Sequence, residues 1–282
     1  MATISRAALL GMILTAAGGQ TAAQHAVPGT AVELAYGADP AQKLDLARTV
    51  LSRQVPLIVF VHGGGWAIGD KTQATGAKAV HFNQRGWAFA SVNYRLVPAA
   101  TVEQQAADVA RALAFLRTHA IERGIDSGRI VLIGHSSGAH LAALVASDSR
   151  YLAAAKVPMS AIRGVVLLDG AGYDVARQMA SPVNRVAAMY TAAFGADPAR
   201  HKRLSPIAHA AAPNAANWLL LAVAQRPDST AQSNLLAAAL VAAGSAARVV
   251  PVANSSHAML NRQLGTDGDA ATAAVDAFIA NL

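Results

Sequence analysis

Arg129–His140 reads RIVLIGHSSGAH. Its first half, Arg129–Gly134, carries an unbroken run of branched apolar residues, Ile130–Ile133, and reads as a buried strand. Its second half opens a helical pattern over Ser137–Ala146. At the junction, Gly134-His135-Ser136-Ser137-Gly138 fits G-x-S-x-G, a pattern that carries information when a strand precedes it and a helix follows. The turn is so sharp that the central serine must take a strained backbone conformation. Flanking glycines let strand and helix approach without Cβ clashes. The Ser136 hydroxyl then projects above the sheet, at the N-terminus of a helix whose dipole favours negative charge. A chemically inert strand–helix turn of small residues is the plainer alternative; the placement makes Ser136 the candidate nucleophile. Ser137 is the wrong hydroxyl in the pattern, but its backbone N–H is placed to bind an oxyanion.

Outward from this stretch, apolar runs alternate with helical patterns. Pro56–His62, Trp87–Asn93, Gly164–Asp169, Trp218–Val223 and Arg248–Val252 read as further strands. Val102–Glu122, Ala231–Ala243 and Ala270–Ala280 read as helices. Strands buried on both faces look like continuous apolar runs, and alternation with helices implies a parallel sheet in an α/β fold. Val32–Leu46 is expected to add antiparallel edge strands. Tyr173–Ala212 lacks strand character and carries prolines and a glycine between two strands, so it is expected to be an insertion covering the sheet.

His62-Gly63-Gly64-Gly65-Trp66 follows the Pro56–Val61 strand. Three successive glycines can aim two backbone N–H groups at one point, as a tetrahedral acyl intermediate requires. A phosphate loop is the rival, but the chain contains neither G-x-x-x-x-G-K-[ST] nor G-x-G-x-x-G. Gly63 and Gly64, with Ser137, are the expected oxyanion donors. His62 is expected to orient the loop, and Trp66 to form either a pocket wall or plain packing.

HGGGW, NYRL (Asn93–Leu96) and GHSSGAH together resemble the α/β-hydrolase superfamily, specifically its carboxylesterase branch of hormone-sensitive-lipase-like, feruloyl-esterase-like and kynurenine-formamidase-like enzymes. The resemblance runs from Val32 to the C-terminus. It implies a mostly parallel sheet of the eight-stranded type, helices on both faces, a small helical or loop cover, and no cofactor. It also implies the chain order serine, acid, histidine. His257 lies just past the last expected strand, where the family's base lies; His209, inside the insertion, is expected to be structural. For the acid, Asp228 follows the Trp218–Val223 strand, although Gln225 stands where the commoner pattern has glycine. Asp169, ending the preceding strand, is the rival. The expected activity is hydrolysis of small to medium carboxylic esters through an acyl-enzyme. An arylformamidase and a non-catalytic binding protein of the same fold are the alternatives.

Composition narrows the field. The 282 residues are 54% hydrophobic and 14% charged, which excludes a disordered chain. With no cysteine, thiolate nucleophiles, disulfides and Cys-ligated metals are excluded. No HExxH or similar ligand spacing points to a metal. The formal charge of +7 is scattered, with no run of three basic residues. It reads as solvated surface, with no nucleic-acid partner. Residues 1–23 combine one basic residue, an apolar run over Ala7–Ala17 and small residues ending at Ala23. These are the parts of an export signal, too short for a membrane anchor. The expected organisation is therefore a leader over 1–23 and one catalytic domain over 24–282, exported to a bacterial periplasm or the exterior. Oligomeric state is not legible.

Overall fold

The computed structural model describes residues 30–48, 53–74, 77–180 and 187–282. The expected leader and its cleavage point lie outside the described residues, as does part of the expected cover. Eight strands follow in chain order: β1 (Ala31–Ala35), β2 (Lys43–Ala47), β3 (Val55–Val61), β4 (Ala88–Val92), β5 (Ile125–His135), β6 (Ile162–Leu168), β7 (Asn217–Val223) and β8 (Ala246–Val252). They form one sheet in the order β1-β2-β4-β3-β5-β6-β7-β8. β1 and β2 pair antiparallel, β2 pairs antiparallel with β4, and all later neighbours are parallel. The antiparallel edge and the parallel body match the expectations from the sequence.

The helices are α1 (Ala77–Gln84), α2 (Val102–Thr118), α3 (Ser137–Ser147), α4 (Ser149–Ala154), α5 (Val175–Met179), α6 (Ala187–Phe194), α7 (Pro198–Arg203), α8 (Pro227–Ala242), α9 (His257–Arg262) and α10 (Ala270–Ile279). Strand alternation splits the core in two. Leu57, Val59 and Val61 of β3, with Ile130 and Leu132 of β5, pack with Val109 and Leu113 of α2 and Leu141 of α3. Ile58 and Phe60, with Val131 and Ile133, face Phe82 of α1 and Val275 and Ile279 of α10. Both faces of β3 and β5 are therefore buried, which is why those strands read as continuous apolar runs. Every residue of α3 is buried, so its run of Ala, Leu and Val needs no polar face.

Two differences from the sequence reading have simple causes. β5 starts at Ile125, ahead of Arg129, because Val55 of β3 pairs with Ile125 before a register shift. α8 starts at Pro227, with the proline in the first turn, well before Ala231. Proline at the first helical position lacks only an N–H that would be unpaired anyway. The segment between β6 and β7 forms α5, α6 and α7 and a short 3₁₀ turn over Pro206–His209.

Candidate active site

A parallel sheet delivers its loops to the carboxyl edge of its strands, and neighbouring strands lie about 4.8 Å apart. In the order β3-β5-β6-β7-β8, the chain leaving each strand supplies in turn the glycine loop, Ser136, Asp169, Arg226 and His257. All five contribute to one cleft of about 760 Å³.

Ser136 follows β5 and caps α3, with φ 57° and ψ −123°. A non-glycine residue at positive φ is uncommon and is sustained only by its surroundings. Here the Ser136 N–H donates to the Leu168 carbonyl at 3.0 Å, while its own carbonyl accepts from Ala139 and His140. The flanking glycines are required sterically. A Cβ on Gly138 would stand 2.2 Å from the Val61 carbonyl oxygen, and one on Gly134 would stand 2.3 Å from that of Gly138.

The glycine loop approaches the serine equally closely. A Cβ on Gly63 would lie 2.9 Å from both the His135 carbonyl oxygen and the Ser136 Cβ. Among the described residues, the backbone N–H groups of Gly63, Gly64 and Ser137 donate to no protein acceptor, and all three residues line the cleft. His62 is buried; its Nδ1 is 2.7 Å from the Gly63 carbonyl, and its ring stacks on Tyr94 at 4.4 Å. The Tyr94 hydroxyl donates to the His62 carbonyl at 2.8 Å, so the NYRL stretch buttresses the loop. Arg95, next in that stretch, forks onto the buried carboxylate of Asp108 at 2.8 Å. Trp66 both packs and lines. It is 2% exposed, makes edge contacts with His140 and Phe194, and forms part of the cleft wall.

The structure does not bring Asp228 to His257. Because α8 begins at Pro227, Asp228 falls in the first turn of that helix. It is exposed there and lines a separate surface depression with Arg177 and Gln178. Asp169 takes the position instead: its Oδ2 lies 2.6 Å from His257 Nδ1. Asp169 also sits at positive φ, 45°, directly after β6. Its N–H donates to the Leu221 carbonyl at 2.7 Å, and its Oδ1 accepts from the Val223 N–H at 3.1 Å. Burial works against ionisation of this carboxyl. The His257 hydrogen bond, the Arg226 charge and the Val223 N–H outweigh it and hold the pKa at about 2. The visible sign in the sequence was an aspartate closing an apolar strand, Val165–Leu168.

Arg226 was not singled out by the sequence. Its Nη1 contacts Asp169 Oδ2 and lies beside His257 Nδ1. Arg262, in the last turn of α9, lines the same cleft. His135 packs against His257 at 4.5 Å between ring centres, and its Nε2 is 2.9 Å from the His257 carbonyl. Burial, reinforced by the neighbouring His257, pushes its pKa down to about 3, so the neutral ring can donate to that carbonyl. His140 Nε2 meets the Leu204 carbonyl at 2.8 Å and His209 Nε2 meets that of Arg203 at 2.9 Å, both backbone anchors. No group of three His, Cys, Asp or Glu among the described residues could hold a metal ion.

The same fold occurs in esterase B of Lactobacillus rhamnosis, with a TM-score of 0.71, 21% identity, and coverage of 90% of this chain and 88% of that one. A carbohydrate esterase from gut microbiota superposes with a TM-score of 0.73 and 20% identity, over 92% of this chain and 98% of its own. In sequence, esterase LipC of Mycobacterium tuberculosis is 34% identical over 123 residues, which are 42% of this chain and 30% of LipC. Kynurenine formamidase of Salmo salar is 30% identical over 158 residues, 55% of this chain and 50% of that enzyme. The chain thus spans half or less of the length of these curated relatives. The family match is broader: it covers residues 44–240, from β2 through nearly all of α8. That span includes the glycine loop, Ser136 and Asp169, and it places the chain in the BD-FAE family.

Proposed function

We propose that this protein is a serine hydrolase that cleaves small to medium carboxylic esters through an acyl-enzyme. The observation that carries the reading is the 2.6 Å contact between Asp169 and His257 Nδ1, made in the cleft that also presents Ser136 and the glycine loop. Asp169 holds the proton of His257 on Nδ1, which leaves Nε2 free to accept the Ser136 proton. Ser136 Oγ attacks the ester carbonyl carbon, and the carbonyl electrons pass to oxygen. Gly63, Gly64 and Ser137 offer N–H groups to that oxyanion, each worth roughly 3–4 kcal/mol in the barrier. Collapse breaks the ester C–O bond, and the alcohol leaves with the proton held by His257. Water, deprotonated by His257, then attacks the acyl-Ser136 ester, releases the acid and restores the serine.

The same machinery would cleave an N-formyl group, and the likeness to kynurenine formamidase over 55% of this chain supports that as a second reading. The experiment compares p-nitrophenyl acetate, butyrate and longer esters with N-formylkynurenine, using Ser136→Ala as control. Ester turnover and fluorophosphonate labelling, both lost in Ser136→Ala, are expected. A clear preference for the formamide would select the second reading, and no turnover of either class would leave only a binding role. We also infer export with removal of residues 1–23. Mass spectrometry of the mature N-terminus tests this, and a retained Met1 would reject it.

A further inference from the structure

The cleft carries more positive charge than hydrolysis of a neutral ester calls for. Of its described lining residues, Arg226 and Arg262 are cationic, and Asp169 is the one carboxylate. That carboxylate is fully buried and already engaged by His257 and Arg226. Arg226 is partly exposed, and Nη1 is the one atom of its guanidinium with a hydrogen-bond partner among the described residues. Its remaining N–H donors are unfilled. Arg262 is exposed, and its side chain makes no hydrogen bond or ion pair with any described residue. It stands on α9, five residues after His257, about 7.5 Å further along the helix axis. Lys78 is 2% exposed and pairs with no acidic group among the described residues; its ammonium lies 5.3 Å from the Phe60 ring centre. The oxyanion has backbone donors of its own, so Arg262 and the outer N–H groups of Arg226 are surplus to the hydrolytic step. A guanidinium with open N–H groups in a cleft matches a planar carboxylate, which it can bind through two parallel hydrogen bonds.

We propose that the ester cleaved here carries a second, free carboxylate, which binds against Arg262 and the outer edge of Arg226 during hydrolysis. This deepens the serine hydrolase reading and rests on it. Arg262 is the specificity determinant. Arg226 serves twice, because the carboxylate it partly neutralises at Asp169 leaves its outer N–H groups free for substrate.

Two isosteric substrate pairs test this, one for each side of the ester bond. Meta-acetoxybenzoate and meta-acetoxybenzamide differ in charge on the alcohol side. Monomethyl terephthalate and methyl para-carbamoylbenzoate differ on the acyl side. Binding of each is measured by calorimetry on Ser136→Ala, and turnover on the unmodified protein. In at least one pair the carboxylate should bind about tenfold more tightly than the amide, the size of one charge-assisted hydrogen bond, and the preference should shrink with added salt. Arg262→Gln should remove it, and Arg262→Lys should restore part of it. Equal binding of acid and amide in both pairs, or a preference that survives Arg262→Gln, overturns the proposal. The binding readout does not need catalysis, so failure of the hydrolase reading shows separately, as absent turnover of p-nitrophenyl acetate.

Discussion

Replacing Asp169 with asparagine removes one charge and almost no volume, so it isolates what the carboxylate does for His257. The outcome follows from the three contacts the carboxylate accepts, of which Arg226 Nη1 shares Oδ2 with His257. Oδ1 takes the buried Val223 N–H at 3.1 Å, and Oδ2 takes His257 Nδ1 at 2.6 Å. An amide has one oxygen. Turning its NH₂ toward Val223 would bury two donors against each other, at a cost of about 1–3 kcal/mol. The oxygen therefore stays with Val223, the NH₂ faces Nδ1, and Arg226, whose side chain is 42% exposed, swings toward solvent. His257 must then accept at Nδ1 and carry its proton on Nε2, the wrong tautomer to receive a proton from Ser136. Loss of the base and of imidazolium stabilisation together are worth about 10⁴-fold in kcat for a triad of this kind, or roughly 5.5 kcal/mol of barrier. The assay is steady-state hydrolysis of p-nitrophenyl acetate by Asp169→Asn and Asp228→Asn side by side, with thermal melting as the check on folding. Asp228→Asn should stay within about twofold of the unmodified protein. It gives up a favourable charge at the start of α8, worth about 0.3–1 kcal/mol of stability. A folded Asp169→Asn with near-normal turnover, or a large loss confined to Asp228→Asn, would refute this assignment.

Two further outcomes follow from the same geometry. Gly63→Ala forces a Cβ to within 2.9 Å of the Ser136 Cβ and the His135 carbonyl. The loop must retreat from the serine, so kcat should fall by about 10²-fold or more, as when one oxyanion donor is lost, while the melting temperature changes little; normal turnover would place the oxyanion donors elsewhere. Stability should fall as pH drops below about 6.5, because burial lowers His140 from 6.5 to about 4. Between those values the unfolded chain takes up a proton that the folded one refuses. The stabilisation is therefore complete above the upper value and lost toward the lower, on the order of 3 kcal/mol from this residue. Scanning calorimetry across the window should show the melting temperature falling by several degrees, and a flat profile would contradict the buried neutral ring.

What is legible in the sequence is carried by short-range signals. The strand–turn–helix around Ser136 is one such signal, because Gly134 and Gly138 are demanded by contacts within five residues or with the adjacent strand. The parallel body of the sheet is another, since burial on both faces leaves a continuous apolar run in β3, β5 and β6. The acid was harder. Asp228 and Asp169 both follow strands, and both precede His257 in the chain. Their difference lies in what happens one residue earlier or later: Pro227 turns Asp228 into a helix, while Asp169 stays in extended contact with β7 through Leu221 and Val223.

By itself, the sequence determined the fold class and pointed to the candidate nucleophile Ser136, the glycine loop and the candidate base His257, because each is written in local composition or in the period of burial. Only the tertiary structure decided which carboxylate reaches His257 and that Arg226 and Arg262 share the cleft. Those are questions of where separate strand ends converge across several sheet spacings. A chain read one residue at a time records the order of those ends but not the distances between them.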